Sequence, residues 1–428
     1  MSAAIENTDI ENTAPAFVLT EDQAKAKQAF INFLTNEDEP VFILRGYAGT
    51  GKSTLVRHLM EELPNILKCI KLVSPKFPEY TVKLTATTNK AAEALSQITG
   101  WDVSTIQSFL GLTVQTDYTT RETKLVLRKY EEKNGYLLFI DEASYIDAPL
   151  KKYIHTLAKG SKVVYMGDPA QLTPVKSNAT PVFDMKCPNA ELTQIVRQAA
   201  GNPIVDLSTK FRQTVKSGEF FSFKPDGFHI QHLDRKAFGQ EILNEFTRKG
   251  WHSNDSKILA WTNKRVVEYN SAVHERTKGE SNLQAGDYAV CNNYFNYSKG
   301  LSIKTDETVQ VTYISPGMSR FDVPGKMYTI NGNITAFCPD SIDAKKARIL
   351  KAKKEDDYET LESIDNTWID LRPLYACTIN KSQGSTYDRV FIDLDDLKRC
   401  NSGNQIARML YVAVSRARHQ VFLTGDLV

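Results

Sequence analysis

Nowhere does this 428-residue sequence approach the roughly 20 consecutive apolar residues needed to cross a bilayer. Its opening, Met1-Ser2-Ala3-Ala4-Ile5-Glu6-Asn7-Thr8, lacks both the basic start and the apolar core of a signal peptide. Membrane insertion and secretion are therefore not expected. The six cysteines include no Cys-x-x-Cys pair, and the closest two are Cys377 and Cys400. That excludes the usual zinc spacings, argues against a disulfide framework and predicts a reducing, cytoplasmic setting. Charge of one sign is also lacking: 53 Lys+Arg against 51 Asp+Glu leave +2. A polyanionic partner would have to be held by local patches, not by bulk charge.

What is present is a globular composition, 41% hydrophobic and 24% charged, at a length that predicts about two to four domains. Residues 1–16 are polar and echo themselves (Ile5-Glu6-Asn7-Thr8, Ile10-Glu11-Asn12-Thr13); too little apolar surface is available to offset ordering entropy, so a disordered tail is expected. A helix is predicted over 20–34, capped by Thr20. Short apolar runs at Val41–Leu44, Val82–Leu84, Leu137–Ile140 and Val163–Met166 then alternate with helical patterns at 53–63, 89–98 and 148–158. A second set, Ile258–Trp261, Tyr375–Ile379, Val390–Leu394 and Val421–Thr424, accompanies helical patterns near 264–277 and 404–415. Such runs read as parallel strands covered by helices on both faces, in two α/β units. Residues 111–135 read as a hairpin, and 283–340 as a small β-barrel or sheet. The charged stretch 343–366 reads as an exposed helical or mobile insertion.

The sharpest motif is Gly46-Tyr47-Ala48-Gly49-Thr50-Gly51-Lys52-Ser53, a complete Walker A pattern between a buried-type strand and a helix. Its glycines let backbone N–H groups turn inward on phosphate oxygens, and the helix N-terminus adds partial positive charge. Lys52 is placed to reach the β- and γ-phosphates of ATP, with Gly46, Ala48, Gly49, Thr50, Gly51 and Thr54 forming the rest of the cradle; the Ser53 hydroxyl is a ligand for Mg²⁺. Downstream, Leu137-Leu138-Phe139-Ile140 ends in Asp141-Glu142. Carboxylates at the carboxyl end of a buried strand lie where open α/β sheets bind ligands. Asp141 would complete the Mg²⁺ shell and Glu142 would polarise the attacking water. Gln171, in Gly167-Asp168-Pro169-Ala170-Gln171, carries both a donor and an acceptor suited to sensing a γ-phosphate.

Together these segments resemble the superfamily 1 helicases, and within them the RecD-like branch B, over nearly the whole chain from about residue 17. Leu19-Thr20-Glu21-Asp22-Gln23 resembles the adenine-reading Q motif, with Gln23 as the contact. Thr85–Ala92 is similar to motif Ia and Thr105-Ile106-Gln107-Ser108 to the strand-contacting motif that follows it. Glu191–Arg197 resembles motif IV, Thr378–Thr386 motif V and Tyr411–Arg418 motif VI. The resemblance implies two tandem RecA-like P-loop lobes, with Arg197 and Arg416 reaching the γ-phosphate held by the first lobe. It implies strand contacts from Thr88, Asn89, Thr105, Ser108, Asn380 and Ser382, although each of these residues reads equally well as a helix cap. Two departures from the family pattern stand out: Thr87-Thr88 replaces Pro-Thr in motif Ia, and Asn380 replaces the usual histidine of motif V.

The implied domains are a tail at 1–16, an ATP-binding lobe at 17–110 and 136–198, and a strand-separating pin at 111–135. A second lobe is implied at 199–282 and 369–428, interrupted by a β-rich, SH3-like insertion at 283–368. Tyr118 or Leu127 is the expected wedge of the pin. The expected activity is an ATP-dependent, 5′-to-3′ DNA helicase, monomeric and cytoplasmic. It would use ATP and Mg²⁺ on single-stranded and fork DNA, in contact with replication or recombination proteins. An RNA-directed superfamily 1 enzyme, or a P-loop ATPase uncoupled from nucleic acid, are the alternatives. Neither arginine has any role in the second unit alone, which has no Walker A motif; outside a cleft between two lobes each would be a solvated surface cation.

Overall fold

The computed structural model describes residues 18–117, 122–174, 180–196, 201–298 and 300–427. The tail expected at 1–16, together with Tyr118 and Arg197, lies outside the described residues. The first lobe is a six-stranded sheet in the spatial order Val103–Thr105, Thr81–Ala86, Tyr136–Asp141, Lys162–Gly167, Val41–Gly46, Asn189–Leu192. Every pairing in it is parallel. The apolar runs form its central strands because each is covered on both faces. On one face the helix Glu21–Thr35 lays Phe30 and Phe33 against Phe42 and Phe139, with ring centroids 5.3–6.0 Å apart. That helix starts with a reciprocal cap: Thr20 Oγ1 accepts from Gln23 N, and Gln23 Oε1 accepts from Thr20 N at 3.0 Å.

The helix after the phosphate loop, Lys52–Val73, runs well past the predicted 53–63 and through Pro64. Proline removes one intrahelical donor, and the buried face Leu55, Val56, Leu59, Met60 and Leu63 anchors the turns before it.

The second lobe is a five-stranded, all-parallel sheet ordered Ala376–Thr378, Ser256–Ala260, Tyr387–Asp393, Ala417–Thr424, Ile230–Leu233. Between its strands lies an antiparallel module built on Tyr288–Cys291, Thr308–Ile314, Met318–Arg320, Val323–Ile330 and Ile334–Pro339. Leu371–Arg372 closes one edge of that module by pairing with Val290 and Cys291, so its last strand comes later in the chain than the predicted β-rich run. The charged stretch forms two helices, Ile342–Lys354 and Tyr358–Thr367. They are anchored, because buried Ile364 and Trp368 pack on Phe337, whose ring centroid is 4.7 Å from that of Trp368.

Residues Leu112–Asp117 and Glu122–Leu127 pair as an antiparallel hairpin. Leu127 pairs with Leu112 at its root and is packed, partly buried, against the first lobe's core. A wedge belongs at the free end, so Leu127 is not one.

One buried cation of the second lobe is out of balance. Lys257, 7% exposed, donates to Leu374 O and lies over the Tyr387 ring. Burial lowers its pKa to about 8, helped by nearby Lys90 and opposed by Cys377. Between that value and the unfolded one of about 10.4, the unfolded chain binds more protons, so this site's contribution to stability rises with pH. Lys257→Met is therefore expected to raise the melting temperature by a few degrees near neutral pH. That advantage should fade by about pH 10, as thermal melts at both pH values would show; a constant difference would refute the assignment.

Candidate active site

The strand Val41–Gly46 feeds the phosphate loop at the carboxyl edge of the first sheet. Gly49 and Gly51 hold φ of 80° and 77°, the left-handed region that the loop's reversal requires. A side chain at Gly51 would also collide with Gln23 Nε2 at 2.6 Å. Lys52 Nζ donates to the carbonyls of Gly46 and Tyr47, the latter at 3.2 Å. The ammonium is thus drawn back over the loop whose N–H groups would hold phosphate.

Two strands away, Asp141 and Glu142 end the run Tyr136–Asp141. Glu142 has φ 52° and ψ 45°, a strained conformation for a non-glycine residue. Its backbone is fixed from both sides: Glu142 N donates to Asp141 Oδ1 at 2.9 Å, and Thr87 Oγ1 donates to Glu142 O at 3.0 Å. Burial pushes the Glu142 carboxyl up to about 7; Asp141 and Asp168 push the same way, while Lys52 and Arg416 pull it down. Asp141 is also raised by burial, against the pull of Lys52.

A cleft of about 500 Å³ gathers Gln23, Ala48, Gly49, Gly51, Lys52, Ser53, Thr54, Asp141, Glu142, Gln171 and Arg416. Gly46 and Thr50 support it from beneath: Gly46 packs on the Lys52 stem, and buried Thr50 Oγ1 donates to Tyr47 O at 2.8 Å. Arg416, 5% exposed, sits just past the second lobe's helix Gly403–Ser415. Its guanidinium donates to Val412 O, Ser385 O and Ser415 Oγ at 2.9–3.2 Å. No carboxylate pairs with it among the described residues, so its charge remains directed at the cleft it lines.

The loop after Lys162–Gly167 is gripped by the second lobe. Gln171 Oε1 accepts from Gln383 Nε2 at 2.7 Å, and Arg408 Nη1 donates to Pro169 O and Gln171 O. Tyr411 O–H donates to Asp168 Oδ2 at 2.5 Å and accepts from Ala48 N at 3.0 Å. Ala170 and Leu172 of the loop belong to the second lobe's hydrophobic cluster. Tyr145, just beyond Glu142, donates to Asn380 O at 2.8 Å. Tyr145, Arg408 and Thr87 lie in or beside motifs legible in the sequence, as do Gln383 and Tyr411. Their roles are not legible there, because each acts on a partner far along the chain.

Two family descriptions match in chain order: an AAA domain over residues 18–229 and a UvrD-like helicase C-terminal domain over 373–424. The ATP-dependent DNA helicase dda of Enterobacteria phage T4 is 24% identical across 94% of this chain and 98% of its own. The ATP-dependent RecD2 DNA helicase of Deinococcus radiodurans is 32% identical over 39% of this chain and 21% of its own. The chain is a helicase similar to the RecD-like branch of superfamily 1. Among solved structures, the Pif1 helicase from Bacteroides in complex with ADP-AlF3 and ssDNA matches 96% of the chain and 93% of its own, with TM-score 0.49 and 16% identity.

In this helicase the residues expected to meet a strand divide. Thr88 and Thr105 cap helices, accepting from Ala91 N and Ser108 N; Ser108 is exposed beside them. Asn89 and Asn380 are half-buried where the lobes meet, and Asn89 Nδ2 donates to Thr305 O at 3.3 Å. Ser382 does not belong with them. It is fully buried and its hydroxyl donates to Ile379 O at 2.7 Å, so no strand can reach it.

Proposed function

We propose that this helicase hydrolyses ATP in the cleft and uses the cycle to move 5′ to 3′ along single-stranded DNA, unwinding duplex ahead of it. The observation that carries the proposal is the composite cleft. Lys52, Ser53, Asp141 and Glu142 come from the first lobe, and Arg416 from the second. The named activities of dda and RecD2, ATP-dependent DNA helicases, support the same reading.

In this mechanism the loop amides and Lys52 bind the triphosphate, and Arg416 neutralises charge on the γ-phosphate during transfer. Glu142 takes a proton from the attacking water. Ser53 and Asp141 would hold Mg²⁺, since they offer the hard oxygen donors it prefers; the ion would supply charge neutralisation. Gln171, held between Gln383 and Arg408, reports the state of the γ-phosphate to the second lobe. Loss of that phosphate loosens the grip of Arg416, and the lobes rock against the strand.

The reading places lobe 1A at 17–110 and 136–198, lobe 2A at 199–282 and 369–428, and the SH3-like module at 283–368, with Leu371–Arg372 lending that module its edge strand. The hairpin within 111–135 is the strand-separating pin. The protein works as a monomer on single-stranded and fork DNA in the cytoplasm, alongside replication or recombination proteins. No helix among the described residues is long and apolar enough to cross a membrane.

The test is steady-state ATP turnover with and without single-stranded DNA, followed by strand displacement from duplexes with 5′ or 3′ overhangs. Strong stimulation by DNA and displacement only from the 5′ overhang are expected. Turnover indifferent to DNA, or stimulated only by RNA, would overturn the proposal.

A further inference from the structure

The β-rich module places a short loop, residues 304–307, on the surface that carries the motif Ia and motif V residues. Thr305 O accepts from Asn89 of the first lobe. One residue on, Asp306 Oδ1 accepts from Lys381 Nζ of the second lobe at 2.7 Å. The same ammonium donates to Asn292 Oδ1 at 2.6 Å, and Lys90 Nζ lies 3.5 Å from Lys381 O. The loop therefore touches the first lobe at Asn89, proposed to hold a strand, and the second at Lys381, the neighbour of Asn380.

Its shape is set locally. Asp306 N donates to Cys291 O at 2.8 Å, and Lys304 N donates to Glu307 Oε2 at 2.8 Å. Asp306 has φ 66°, a region that short polar side chains tolerate better than other non-glycine residues. Lys381 and Asp306 remain 27% and 25% exposed, so their ion pair is open to exchange.

A carboxylate and a phosphodiester both present anionic oxygens to an ammonium. We infer that Asp306 is an internal stand-in for a strand phosphate: it occupies Lys381 when no DNA is bound and is displaced when a strand arrives. This rests on the strand-binding reading above and adds a regulatory element to it. The consequence extends to hydrolysis, because Asn380, the neighbour of Lys381, accepts the hydrogen bond from Tyr145 in the turn that follows Glu142. While Asp306 holds Lys381, the helix Ile379–Ser382 keeps its resting position and so does that turn. Asp306 thereby keeps ATP turnover low in the absence of DNA.

The test is Asp306→Asn, which keeps side-chain shape and suits the positive φ, so folding is retained. Binding of fluorescent oligothymidylate is measured across a salt series, and ATP turnover with and without the oligonucleotide. Kd is expected to fall about three- to fivefold, the scale of a partly exposed ion pair. The slope of log K against log salt should steepen by about one, for one unmasked cation. DNA-free turnover should rise and the stimulation ratio shrink. In a Lys381→Met background the Asp306→Asn change should lower Kd by much less, since of this pair of cations only Lys90 then remains near the carboxylate. An unchanged or weaker affinity in the single variant, with parental turnover still stimulated by DNA, overturns this inference alone. Parental turnover indifferent to DNA overturns the strand-binding reading beneath it.

Discussion

Replacing Arg416 by alanine is expected to lower DNA-stimulated ATP turnover by about 10³- to 10⁵-fold, the range associated with arginine fingers, while nucleotide binding survives. The guanidinium is almost fully buried and held by three acceptors, yet has no carboxylate partner among the described residues. A cation kept dry and unpaired beside Lys52 and Glu142 has its largest effect where negative charge develops. Most cradle residues come from the other lobe, so affinity for ATP should change little. Arg416→Lys should recover only a small part of the loss, because a point charge on a flexible stem cannot reproduce the planar fork. Single-turnover hydrolysis alongside binding of a fluorescent nucleotide separates the two effects. A tenfold or smaller loss of turnover, or a parallel loss of binding, would show that Arg416 is structural.

Glu142→Gln is expected to slow hydrolysis by about 10²- to 10⁴-fold, the usual contribution of a positioned general base. The substitution preserves shape at a position where shape matters, since the backbone is held at φ 52° by Thr87 and Asp141. Glutamine removes the proton acceptor and also a negative charge that Asp141 and Asp168 oppose. The variant should therefore bind ATP at least as tightly as the parent and remain closed on single-stranded DNA. Nucleotide affinity measured with and without a strand, together with turnover, decides this. Retained hydrolysis would remove Glu142 from the mechanism and direct attention to Gln171.

The parallel sheets were legible because their strands are apolar on both faces, as Leu137–Ile140 and Val163–Met166 show. The phosphate loop was legible because a local run of glycines before Lys52 does local chemistry. Ser382 and Leu127 show the limit. A polar residue in a strand-contacting motif proved to be a buried helical hydroxyl bonded to Ile379 O. A leucine in the hairpin proved to be part of its root. Sequence gives residue type and spacing but not which way a side chain faces. The contacts of Tyr411 with Asp168 and Ala48 span more than 200 residues of chain, and no pattern short enough to read encodes them.

Ala170 and Leu172, 2% and 0% exposed, are made with the first lobe but are buried in the second. One helix of that cluster, Gly403–Ser415, is made more than 200 residues later. During synthesis at about 5–20 residues per second, these side chains leave the ribosome on the order of 10–50 s before Leu410 and Tyr411 can shield them. The nascent first lobe thus carries an apolar tip that lacks part of its cover, and a chain stalled before residue 403 never completes it. Final assembly of the enzyme waits on residues 403–415, and products truncated before them should be caught by chaperones or lost to aggregation.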